Sequence, residues 1–295
     1  MLRLLHGLAW GLSTTVNGTA AVDIVPRERI GEGMGYFGLS ITIGMIVAPS
    51  IGIFLYQTYS SQVMISVSVI LGAIAVILSS ITKFTTPKSV AEKKKEQIKF
   101  SFLSSLYEKD CWFPVLVTFC NTFAYGSIVT FIVIFAEERA IEGIFLFYLF
   151  NALCATIVRP FTGRWFDMKG PWPLILTCSI FAFIGMWILV YSGSNFSIGL
   201  AGAIFGLGYG SMMPAFQAWV VSKTTPERSG VANGMFYSSI DLGIGLSAIV
   251  LSFVYKFAQT ATLFKISSFL FLLVFALTLI DYKQSKKKTA LNHTE

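Results

Sequence analysis

The chain has 295 residues, 55% of them hydrophobic and only 13% charged, with a formal net charge of +7. Soluble domains carry about 25% charged residues, so this composition excludes a water-soluble globule and points to a protein folded in lipid. The positive charge falls between apolar runs rather than in one basic patch, so no nucleic-acid partner is expected.

A membrane-spanning helix needs about 20 mostly apolar residues. In chain order such segments fall at 2–24, 34–56, 61–82, 113–136, 143–158, 173–193, 196–221, 231–255 and 262–280. The predicted fold class is an all-α membrane protein with nine transmembrane helices. The first segment opens without a basic region and is too long for a cleaved signal peptide. Of the 22 Lys and Arg, 18 lie in alternate connections: 25–33, 83–112, 159–172, 222–230 and the tail from Asp281. The intervening connections hold only Arg139 and Lys256. The positive-inside rule therefore places the first set, and the C-terminus, in the cytoplasm of a multi-pass protein of the cell membrane. AEKKKEQIK (91–99) sits in a basic cytoplasmic linker, 83–112.

Two stretches repeat. VPRERIGEGMGYFGLSITIG (25–44) matches TPERSGVANGMFYSSIDLGIG (225–245): Pro26 with Pro226, Arg29 with Arg228, Gly31 with Gly230, Gly35 with Gly234 and Gly44 with Gly243. GLAWG (7–11) precedes the first as GLGYG (206–210) precedes the second. A span pair repeated in the same orientation indicates two bundles related by an axis along the membrane normal. If the first span corresponds to the seventh, the unit is six spans and three lie upstream of the sequence given. Residues 1–82 are then the second half of the first bundle, 113–283 the second bundle and 284–295 a cytoplasmic tail.

This arrangement resembles the major facilitator superfamily, with the nine spans as helices 4–12 of a 6+6 arrangement lacking the first three. In the drug:proton antiporter branch the fifth helix carries spaced small residues and a proline. Gly35, Gly44, Ala48–Pro49 and Gly52 keep that spacing, with Ala48 in place of the usual glycine. Arg3–Leu4–Leu5–His6–Gly7 resembles the Arg-x-x-x-Gly of the fourth helix. Gly163, Asp167 and Gly170, preceded by Arg159 and with Arg164 directly after Gly163, resemble the Gly-x-x-x-Asp-x-x-Gly after the eighth helix; Met168 replaces the usual arginine there.

The small residues of 35–52 let two helix backbones approach closely, and Pro49 removes a helix hydrogen bond and bends the helix. The resemblance implies that this helix seals one half of the protein against the other. Asp241 lies about eleven residues past Gly230, roughly mid-bilayer at 1.5 Å per residue. A carboxylate buried there would carry a proton. Asp241, and through the resemblance Arg3, are the proton-coupling candidates. Asp167, Arg164 and Lys169 are expected to form a cytoplasmic charge cluster that latches one conformation. Asn17, Asn121, Tyr125, Asn151, Tyr209 and Gln217 are polar groups within spans and candidate cavity residues.

The expected function is secondary transport of small molecules by alternating access, as proton-coupled efflux. Proton-coupled uptake by symport and an inactive truncated or split-gene fragment are the competing readings. In the last, the upstream helices would be a partner chain. The expected partners are otherwise the bilayer, a small-molecule substrate and protons. The four cysteines and two histidines show no metal-ligand spacing, and there is neither a Walker A loop nor a nucleophile elbow. No metal, cofactor or enzymatic activity is expected; the proton gradient is the energy source.

Overall fold

The computed structural model describes residues 1–82 and 106–292. Within them, the side chains of 3, 42, 45–50, 53, 54, 56–58 and 288–292 lie outside the description. Most of the basic linker, 83–105, lies outside it too. Among the described residues there are nine α-helices and no strand: α1 Leu2–Ile24, α2 Ile30–Thr58, α3 Ser61–Ile81, α4 Trp112–Glu138, α5 Phe145–Lys169, α6 Pro171–Val190, α7 Asn195–Ser222, α8 Ser229–Tyr255 and α9 Thr260–Asn292. Seven of these, α3 to α9, are long and apolar enough to cross a membrane. The run of α1 is diluted by Ser13, Thr14, Thr15, Asn17 and Thr19.

Two predicted boundaries are corrected. The stretch 159–172, expected as a loop, is mostly helix, because α5 continues through Pro160 to Lys169. Its stop is Gly170, at φ +76°, a left-handed conformation that costs glycine little. Pro171 then starts α6, where its missing amide hydrogen has no helical partner to lose. The last helix also outruns its predicted end at 280, taking most of the supposed tail 284–295 into α9.

The repeat is visible in the backbone. Extended Val25 leads through a 3-10 turn, Arg27–Arg29, into α2; extended Thr225 leads through a 3-10 turn, Pro226–Arg228, into α8. The first copy holds one extra residue, which shifts Pro26 from inside the turn to the position before it.

The described residues divide into two units: Met1–Gly38 with Lys99–Glu295, and Leu39–Ile98. The division falls within α2. In the first unit α7 is the central element. Gly202, Gly206 and Gly210, four residues apart, press that face against the α5 backbone at Phe147, Asn151 and Ala155. Gly208 does the same against α6 at Cys178. Side chains at these positions would hold the helices apart, the small-residue device of helix packing in lipid. In the second unit α3 buries no residue, and Ile65, Val69 and Ile77 are exposed.

Candidate functional site

The described connections 25–33 and 222–230 meet the end of α5 at one end of the first unit, here called the basic end. There α2 begins, and the first amide groups of a helix lack internal acceptors. Asp167, on the last turn of α5, supplies them. Its carboxylate accepts from the Gly31 amide at 2.6 Å and the Glu32 amide at 2.9 Å. A carboxylate at a helix N-terminus also lies favourably in the helix dipole. The approach depends on glycine. A Cβ at Gly163 would lie 2.8 Å from the Glu32 Cα, and one at Gly31 would lie 2.7 Å from the Gly163 carbonyl oxygen.

Glu32 completes the cluster. It accepts from Arg29 at 2.6 and 3.0 Å and from Arg164 at 3.3 Å. Arg29, and then Arg164, hold its carboxyl below the usual carboxylate range. The expected grouping of Asp167 with Arg164 and Lys169 is therefore corrected: Asp167 spends its charge on backbone amides, Arg164 pairs with Glu32, and Lys169 is exposed. Gly170 closes the helix rather than joining the cluster.

Arg159, one turn deeper on α5 than Gly163, is only 8% exposed. Its Nε donates to the Gly210 carbonyl at 3.1 Å, and its Nη1 to the Gly38 carbonyl. Pro214 explains the first bond. Lacking an amide hydrogen, it leaves the carbonyl four residues back, that of Gly210, without its helical donor. Arg159 thus ties α5 to α7 and to the start of α2. Gly35 packs beside it, where a Cβ would lie 3.5 Å from the Arg159 carbonyl.

The second copy of the repeat makes related contacts. Ser229, at the start of α8, donates to Asp23 at 3.1 Å, and Arg228 pairs with Glu108. Arg27 donates to the Thr224 carbonyl at 3.0 Å.

Away from the basic end α1 and α8 separate. Gly7, Gly11 and Gly18 share one stripe of α1 at 3.6 residues per turn. A Cβ at Gly18 would lie 2.8 Å from the Tyr237 hydroxyl; at Gly11 or Gly7 it would meet nothing within 4 Å. The facing stripe of α8 runs Gly230, Gly234, Tyr237, Asp241. Its first two members approach Thr19 and Thr15 at 3.9 Å. Asp241 lies one turn beyond Tyr237, level with the widened part, and is exposed. The expected enclosed carboxylate is corrected: Asp241 borders an open cleft, because the neighbouring helix has already diverged.

Behind α8, against α4 and α7, lies a largely buried cluster, polar near the basic end and aromatic further in. Gln217, buried on α7, donates to Asn233 at 2.8 Å and to the Tyr237 hydroxyl at 3.3 Å. Asn121, fully buried on α4, reaches the Met213 sulfur at 3.7 Å and leaves its Oδ1 unpaired. Tyr125 stacks on Tyr209 with ring centroids 4.2 Å apart, and Phe205 continues the stack at 5.2 Å. Of the predicted cavity residues, the fold sets Asn121 and Tyr125 of α4 against Met213 and Tyr209 of α7, and Gln217 of α7 against α8. It does not bring Asn17, which is exposed and bonded to Ser13, or Asn151, which packs its backbone on Gly206. Asn233 and Tyr237, missed in the sequence, were legible as polar residues four apart on α8.

The remaining candidates lie elsewhere. Arg3 is in the first turn of α1, and Ala48 and Pro49 lie within α2; their side chains are outside the description. A Cβ at Gly44 or Gly52 would meet nothing within 4 Å.

A family model described as the Major Facilitator Superfamily matches residues 1–248 and, in a second match, 179–294. The chain belongs to that superfamily. It is a membrane-spanning member of a superfamily of transporters and has the all-α fold typical of it. An uncharacterized MFS-type transporter of Methanocaldococcus jannaschii is 26% identical over 91% of this chain and 70% of its own length. The multi-drug resistance efflux pump PmrA of Streptococcus pneumoniae is 24% identical over 83% of this chain and 62% of its own. The multidrug resistance protein MdtG of Escherichia coli is 24% identical over 82% and 61%. The chain thus spans less than two thirds of the two named drug-resistance proteins. Among solved structures, the superfamily transporter FucP in its outward conformation superposes with a TM-score of 0.68 at 17% identity, covering 90% of this chain and 72% of FucP. The human organic anion transporter MFSD10 gives 0.69 at 15% identity, covering 90% and 67%.

Proposed function

We propose that the protein is a secondary transporter that exports small molecules across the cell membrane in exchange for protons, by alternating access. The basic end is its cytoplasmic face, with the C-terminus on that side, and the conformation described is closed there. The observation that carries the reading is the Asp167 cap on α2. It fastens an element of one proposed half to an element of the other at a point where glycines bring the backbones together. Arg159 and the Glu32–Arg164 pair add to the fastening. Opening that face requires these bonds to break, and contacts made on closing the opposite end offset their loss, as expected of a two-state device.

The cleft between α1 and α8 is the substrate path. The aromatic pair Tyr125 and Tyr209, with the polar group Gln217, Asn233 and Tyr237, suits an amphipathic organic molecule once α1 and α8 move apart. Asp241, open to the cleft, is the proton carrier. In this reading the nine helices correspond to helices 4–12 of a 6+6 arrangement. The drug-resistance relatives favour efflux over uptake.

The test is flux. The full chain is reconstituted in liposomes with an imposed pH gradient, and movement of ethidium is followed by fluorescence. Gradient-driven ethidium movement, abolished by Asp241→Asn, is expected. Movement of ethidium without response to the gradient would remove proton coupling; gradient-driven movement unchanged by Asp241→Asn would remove that residue.

A further inference from the structure

Beneath the Asp167 cap is a small void at the meeting of α2, α5 and α7. Three polar side chains line it, Arg159, Thr162 and Ser211, all more than nine-tenths buried. Ser211 follows Gly210, whose carbonyl Arg159 holds. The Ser211 hydroxyl oxygen has no hydrogen-bond partner. The Thr162 hydroxyl is spent on the carbonyls of Val158 and Arg159 in its own helix. The rest of the wall is glycine, proline and apolar side chain.

The charge here is unbalanced. A buried cation needs a counter-charge, and removing it from water without one is costly. Arg159 is held by two neutral carbonyls, and no described carboxylate pairs with it. The nearby Asp167 is committed to the amides of Gly31 and Glu32. A guanidinium carries five N–H donors, so two carbonyls leave donors to spare. The hydroxyl of Ser211 is a further donor without an acceptor.

We propose that this void binds one small inorganic anion of chloride size, held by the Arg159 guanidinium and the Ser211 hydroxyl. A water would answer the hydroxyl but leave the cation uncompensated. An organic substrate needs a pocket of about 300 Å³ or more, whereas this void has room for about one small sphere. Its walls include Gly31 and Gly35 of α2 as well as residues of α5 and α7. An anion bound there therefore stabilises the packed basic end and is released when α2 withdraws. By linkage, a ligand of one conformation shifts the protein toward it.

The experiment is a thermal-stability titration of the purified full chain in detergent, with sodium chloride replacing sodium gluconate at constant ionic strength. Chloride is expected to raise the melting temperature saturably by about 2–4 °C, and bromide to do the same. Ser211→Ala removes one donor and little volume, so it folds; it is expected to move the chloride midpoint several-fold higher. Arg159→Gln is expected to abolish the response. Bromide soaked into crystals should give an anomalous peak beside Ser211. Equal melting temperatures in chloride and gluconate would overturn the proposal. So would a chloride response unchanged in Ser211→Ala, or an ordered water alone at the void.

Discussion

Removing the Asp167 carboxylate should open the basic end. Two backbone amides donate to it, at 2.6 and 2.9 Å. Hydrogen bonds to a charged group contribute about 1.5–3 kcal/mol each when enclosed. This site is only part-buried, and loss of a helix N-cap costs about 1–2 kcal/mol in measured cases. Adding a few tenths for the helix dipole, Asp167→Ala should weaken the closed state by about 2 kcal/mol, roughly a 30-fold shift in the equilibrium. Asp167→Asn keeps a neutral acceptor and should shift it about 5-fold. The assay uses Thr162→Cys, at a position 7% exposed beneath the cap, in a variant whose four native cysteines are replaced. Inside-out vesicles are treated with a membrane-impermeant maleimide, and the labelling rate reports the open fraction. The rate should rise about 30-fold in the alanine variant and remain at the parent value in Lys169→Ala, since Lys169 stands apart. Labelling of the alanine variant at the parent rate would refute the reasoning.

Three more outcomes follow from the same geometry. Gly163→Ala places a methyl 2.8 Å from the Glu32 Cα, a backbone atom that cannot swing away; overpacking of this kind costs about 1–3 kcal/mol, and Thr162→Cys labelling should rise accordingly. Glu32 has its carboxyl depressed below its ordinary value of 4.5 by Arg29 and Arg164. Only the Arg164 pair crosses to α5, so that part of closure is present above the ordinary value and lost as pH falls through the depressed one; the labelling rate, divided by that of Glu32→Gln at the same pH to remove the thiol's own titration, should rise on acidification. Asp241→Asn should leave ethidium binding within a few-fold of the parent, measured by fluorescence, while gradient-driven flux falls to background.

The helices were legible because lipid demands long apolar runs, and Lys and Arg mark one set of their ends. The end of α5 was not. Pro160, two arginines and a glycine look like a loop, yet the missing bond at a proline is affordable where neighbouring helices pack on both sides. Arg159 appeared in the sequence as part of a motif, but its burial did not, because its partners are backbone carbonyls. The one signal was Pro214, four residues after Gly210, which marks that carbonyl as unpaired. Asp167 was read as a member of a side-chain charge cluster, but its partners are backbone amides. Backbone amides at the start of another helix carry no mark in composition. Glu32 was missed for a related reason: Arg29 is a local neighbour, but Arg164 lies 132 residues away on α5. Asp241 looked enclosed because depth along a helix was taken for burial, and only the divergence of α1 separates the two.

The central claim is that movement at α2 and α5 is obligatory for transport. The most direct measurement links Glu32→Cys to Arg164→Cys, side chains that form an ion pair, with a short cleavable bis-maleimide in ethidium-transporting liposomes. The account predicts that cross-linking stops gradient-driven flux and that cleaving the linker restores it. Flux continuing at the uncross-linked rate in a fully cross-linked sample would contradict it.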